Sequence, residues 1–88
     1  MTKEQEALLI LQEECMEVAH IANKAIRFGI DDSHPKTGII NRDALTQEVG
    51  HILAMIDILI KQKVIIKDEI YSGKFHKYEQ LKKYSSLI

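Results

Sequence analysis

Between Lys3 and Phe28 the chain runs without a glycine or a proline, and its apolar residues recur at helical spacing. A stretch of that length and period predicts one long amphipathic helix, with Thr2 as N-cap and Gly29 as C-cap. Leu8, Leu11, Cys15, Val18, Ala22 and Ile26 form the stripe such a helix buries. Glu13, Glu14, Glu17, His20, Lys24 and Arg27 fall on roughly the opposite side, so the helix has a core side and a chemical side. Carboxylates crowded into one turn repel one another by roughly 0.2–0.5 kcal/mol per i,i+4 pair. A divalent cation is the strongest compensating charge.

Ile30 to Ile40 gathers D-D-S-H-P-K-T-G, with the only proline of the chain, and reads as a loop whose His34 and Lys36 can close over a ligand. Asn41 or Asp43 is positioned to cap a second helix reaching about Lys63. Leu45, Val49, Ile52, Ile56 and Leu59 mark one face of that helix, while Leu53, Met55, Ile58 and Ile60 add apolar surface elsewhere. A helix apolar on most sides is covered on most sides, here by the last segment and by a second copy of the chain. Asp68 is the expected cap of a third helix ending at Tyr84, with Gly73 as a weak point. The expectation is an all-α fold: a single domain over residues 1–88, about three helices in an antiparallel bundle completed by oligomerisation. A chain of 88 residues is near the size where burial alone stabilises only marginally, which favours a homodimer or homotetramer joined through the second helix.

A net charge of −1 provides no general attraction for nucleic acid, although the last third is locally basic. The lone Cys15 forms no intrachain disulfide and no cysteine zinc site, in keeping with a reducing cytoplasm, and is read as a packing residue with Met16 and Met55. The N-terminal M-T-K-E-Q-E lacks the apolar core of a signal peptide. Ile52–Ile60, the most apolar run, is interrupted by Asp57 and is far shorter than the ~20 residues a membrane span needs. Neither a nucleic-acid nor a membrane partner is expected.

The second helix carries its own polar pair, Glu48 and His51, three residues apart on one face. Two antiparallel helices can bring Glu14 and Glu17 opposite this pair, a ligand arrangement of metal-binding helical bundles. The sequence E-E-C-M-E followed on the next helix by E-V-G-H resembles the MazG-like all-α nucleoside triphosphate pyrophosphohydrolases, whose pattern is E-E-x-x-E and then E-x-x-D. The basic end, Leu81-Lys82-Lys83-Tyr84, is similar to the tail of small phage-type members, and the resemblance extends from Leu8 to Ser85.

That resemblance implies metal-dependent hydrolysis of a (deoxy)nucleoside triphosphate to the monophosphate and pyrophosphate, in a bacterial cytoplasm or that of a phage host. It implies metal ligation by Glu14, Glu17 and Glu48, with His51 at the position of the family aspartate. Glu13 or Glu17 is then expected to orient or deprotonate the attacking water. Lys24, Arg27, Asn23, Lys82 and Lys83 are the candidate substrate contacts, and Met55 is a candidate neighbour of the base or sugar. Mg²⁺ is the expected cofactor and Mn²⁺ the alternative, because imidazole suits the softer ion better. His51 also opens two other readings: a nucleotide-binding protein with weakened turnover, and a helical interaction module whose acids are simply solvated.

Overall fold

The computed structural model describes Met1–Ile88 as three helices: α1 (Lys3–Phe28), α2 (Asn41–Lys61) and α3 (Lys67–Tyr84). There is no strand; Ser33 and Ile40 alone make an isolated bridge inside the loop between α1 and α2. No helix is long and apolar enough to cross a membrane.

The start of α1 is fixed by a capping box. Thr2 Oγ1 accepts from the Gln5 amide at 3.1 Å, and Gln5 Oε1 accepts from the Thr2 amide at 2.9 Å. Its end follows at Gly29, whose φ of 108° is unfavourable for a residue with a Cβ. Neither Asn41 nor Asp43 caps α2; Ile40 occupies that position without a side-chain bond. The loop backbone replaces the side chain, with the carbonyls of Asp32 and Ile30 accepting from the Asn41 and Arg42 amides at 2.9 and 2.8 Å.

At its far end α2 closes at Lys61, two residues short of the expected limit. Val64 N–H donates to the Leu59 carbonyl and Lys63 N–H to that of Ile60, while Lys63 takes a left-handed φ of 63°. This is a Schellman turn with lysine where glycine is usual. Helix α3 begins one residue before the expected cap. Ile66 is its N-cap, and Asp68 sits in the first turn, where its charge meets the positive end of the helix.

Packing joins α1 to α2. Gln62 donates to the Lys3 carbonyl, Glu14 meets His51, and Asn41 donates to the Gly29 carbonyl, so partners on α2 retreat as positions on α1 advance. Ala7, Met55 and Leu59 form the core cluster, flanked by Ile10, Leu11 and Ile65, while Ile21 is buried farther along α1. The seam on α1 therefore follows Ala7, Glu14 and Ile21 at seven-residue spacing and lies to one side of the expected stripe. Leu8, Cys15 and Ile26 remain exposed, which corrects the reading of Cys15 and Met16 as packed residues. Met55 packs in the core, as its packing reading has it, and is unavailable to a base or sugar.

The largest departure concerns α3. It buries no residue and does not cover α2. The radius of gyration is 15.6 Å, against about 12 Å for a compact chain of this length, and the backbone spans 40 × 39 × 16 Å. A single chain is flat, with an exposed arm.

Two stability outcomes follow. Leu59 is only 1% exposed, and Leu59→Ala should cost about 2–5 kcal/mol in urea unfolding. Lys63→Gly relieves the left-handed residue and should raise stability by about 1 kcal/mol, read as a higher denaturation midpoint.

Candidate metal centre and adjoining cavity

The seam that packs Ala7 against Leu59 carries Glu14 and Glu48 into the same interhelical space two turns farther along. Glu14, Glu48 and His51 offer ligand atoms that all lie within 4.8 Å of one another. His51 Nδ1 lies 3.1 Å from Glu14 Oε2 and 3.2 Å from Glu48 Oε1. With its proton on Nδ1, the imidazole donates to both carboxylates and bridges the helices. In this arrangement the Nδ1–H occupies the place a cation takes between two carboxylates.

The two acids are not equivalent. Glu14 is held below the usual carboxyl range, first by a hydrogen bond with Glu48 and then by His51, against a desolvation cost. Glu48 is pushed above that range by its hydrogen bond with Glu14, by desolvation and by the charge of Glu14, with His51 opposing. Glu48 therefore gives up its proton less readily than an ordinary carboxyl, and Glu14 more readily. Glu48 Oε2 is sealed from solvent and has no donor. A sealed acceptor beside a second carboxylate is satisfied either by that shared proton or by a cation. Two carboxylates and an imidazole form a fitting donor set for a divalent ion, softer than an all-oxygen magnesium site.

Beside Glu48 lies an open cavity of about 400 Å³, lined by α1, the Ile30–Ile40 loop and the first turns of α2. Glu17, His20 and Lys24 line its α1 side; Asn41, Asp43 and Gln47 line its α2 side; His34, Thr37 and Ile39 come from the loop. The loop is held in place by three devices. His34 Nδ1 accepts from the amides of Lys36 and Thr37, Gly38 turns with φ of 73°, and Arg42 pairs with Asp31 through two bonds of 2.9 and 3.2 Å. The Arg42 guanidinium also holds the Asp31 carboxyl below its usual range. A smaller cavity of about 280 Å³ shares Lys24, His34 and Asn41 and extends to Phe28 and Pro35.

The residues singled out from sequence are thus distributed over several places. Glu14, Glu48 and His51 come together; Glu17 stands outside their cluster on the cavity wall, with Lys24. Glu13 and Asn23 are exposed and line neither cavity, and Arg27 stacks over the Phe28 ring at 5.2 Å. Lys82 pairs with Glu79 at 3.5 Å on α3, and Lys83 lies on that same arm. Asn41, Asp43, Gln47 and Thr37 were not anticipated as cavity residues. Seven-residue spacing of Asn41, Glu48 and Met55 was the available signal for the first of them, since it places a polar residue in the seam.

No protein-family model, curated protein or solved structure gives a significant match to the chain.

Because the Glu48 proton must leave before a cation can use both carboxylates, affinity for Mn²⁺ should rise as pH climbs through the Glu48 titration. Binding in that window should release protons, measured by calorimetry in buffers of different ionisation enthalpy. In Glu48→Gln that pH dependence should be lost along with most of the affinity.

Proposed function

We propose that this chain is a metal-dependent nucleoside triphosphate pyrophosphohydrolase, acting on a nucleotide or deoxynucleotide and releasing pyrophosphate. The observation that carries this reading is the juxtaposition of the Glu14–Glu48–His51 cluster with a cavity of about 400 Å³, a volume suited to a nucleoside-sized ligand. Glu14, Glu48 and His51 are the residues to hold a divalent ion. When bound, such an ion neutralises phosphate oxygens and acidifies coordinated water.

The other tasks belong to the protein. Glu17, on the cavity wall one turn from Glu14, is the candidate to orient the attacking water and accept its proton. Lys24 supplies a cation to the phosphate chain from the same wall. Gln47, Thr37 and Asp43 give the cavity donors and acceptors for a base or sugar. Mg²⁺ is the proposed metal, with Mn²⁺ favoured to the extent that His51 ligates through nitrogen. A homodimer or homotetramer in an antiparallel helical arrangement and a cytoplasmic setting complete the proposal.

One observation favours a second reading. His51 Nδ1 is already engaged by both carboxylates, so the imidazole competes with a cation for them. That supports a nucleotide-binding protein with little turnover.

Pyrophosphate release from a panel of NTPs and dNTPs, with Mg²⁺ and separately Mn²⁺, tests both readings. Under the first, the parent turns over and Glu17→Ala loses at least 100-fold in kcat, the scale of general-base loss. Under the second, the parent binds nucleotide without turnover and His51→Asp gains activity. Absence of both binding and turnover in the parent would refute both.

A further inference from the structure

The two cavities beside the metal cluster are parts of one elongated site. Lys24, His34 and Asn41 line both. The smaller, at about 280 Å³, falls below the ~300–1,000 Å³ of pockets that hold a whole ligand, so it receives part of one. Glu48 lines the larger cavity, and none of Glu14, Glu48 and His51 lines the smaller. The smaller cavity is therefore the end remote from the cluster, and the shared wall stands between. Asn41 is seven residues from Glu48 on α2, about 10 Å of helix. That separation matches the reach of a nucleoside from its 5′ phosphate to the far edge of its base.

The polar groups of this wall are oriented by the chain itself. Asn41 is only 5% exposed, and its Nδ2 donates to the Gly29 carbonyl at 2.9 Å, which settles the direction of the amide. Its Oδ1 accepts no hydrogen bond within the chain and is not sealed from solvent, so it is an acceptor left for a ligand. His34 Nδ1 accepts from the Lys36 and Thr37 amides at 3.1 and 3.4 Å, so the neutral imidazole carries its proton on Nε2 and keeps one donor. Two adjacent acids then divide the work. Asp31 is paired with Arg42, whereas Asp32, on the smaller cavity, has neither an ion pair nor a side-chain hydrogen bond. An acceptor, a donor and an unpaired carboxylate suit a ring edge that sets an amino group beside an unprotonated ring nitrogen, as cytosine and adenine do. An oxo group in the amino position would turn its lone pairs toward the Asp32 charge and leave that contact unmet.

We propose that Asn41, His34 and Asp32 select nucleotides whose base carries an amino group on its pairing edge, cytosine or adenine, over their oxo counterparts. Asn41 Oδ1 and the Asp32 carboxylate accept from the amino group, and His34 Nε2–H donates to the ring nitrogen. Gln47, Thr37 and Asp43 are then left to the sugar. The inference rests on the nucleotide reading and adds the class of base to it.

Monophosphates test it on the full chain, because they offer no pyrophosphate to release. Calorimetric titration with Mn²⁺ present should show dCMP binding at least about tenfold more tightly than dUMP, and dAMP than dIMP, the scale of a hydrogen bond to a charged group. Asp32→Asn keeps the backbone carbonyl that caps α2 and should bring both ratios close to one, with helicity by circular dichroism retained. Equal affinities within each pair, or ratios that survive Asp32→Asn, would overturn the proposal while pyrophosphate release from the triphosphates upholds the hydrolase reading. Selective binding of dCMP and dAMP without turnover of any triphosphate would support the proposal and refute the hydrolase. No binding of any monophosphate would overturn the proposal.

Discussion

The seam between α1 and α2 is the contact on which the rest of the molecule depends. It is laid out in steps of seven residues, Ala7–Glu14–Ile21 on one helix and Asn41–Glu48–Met55 on the other, so every level of the pair repeats one geometry with different chemistry. One end is hydrocarbon, where Ala7 meets Met55 and Leu59. The middle is ionisable, and the loop end is closed by the amide of Asn41 on the Gly29 carbonyl. Register at the apolar end thus fixes how closely the carboxylates approach one another. The same packing that stabilises the pair sets the electrostatics of its centre.

Placing acids in a seam has a cost. Two carboxylates with oxygens within 4.8 Å oppose each other's ionisation, and the structure divides the burden by lowering the pKa of Glu14 and raising that of Glu48. His51 relieves the repulsion from the partly solvated rim. Such a centre is poised: a proton, an imidazolium or a metal ion can each satisfy the same oxygens, and conditions decide among them.

Much of this was legible in the sequence. The uninterrupted run from Lys3, the Thr2 cap and Gly29 defined α1 to the residue, and the i, i+3 spacing of Glu48 and His51 placed them together on one helix face. The seam itself was misjudged because the broader apolar stripe, with Leu8, Cys15 and Ile26, was read as the buried face. That stripe is real, but a single chain leaves much of it bare. The caps of α2 and α3 escaped for a different reason: backbone carbonyls and an extended isoleucine perform the task, and neither leaves a trace in residue type. The position of α3 was illegible because it buries no residue and is directed by the backbone turn at Lys63, which a lysine does not announce.

The loop from Ile30 to Ile40 both lines the cavity and caps the start of α2, and it accomplishes the second task with the carbonyls of Ile30 and Asp32. Main-chain atoms are shared by every amino acid. Several side chains over the cavity can therefore be exchanged without unravelling the helix beneath them, which leaves ligand preference free to drift during evolution while the scaffold stays intact.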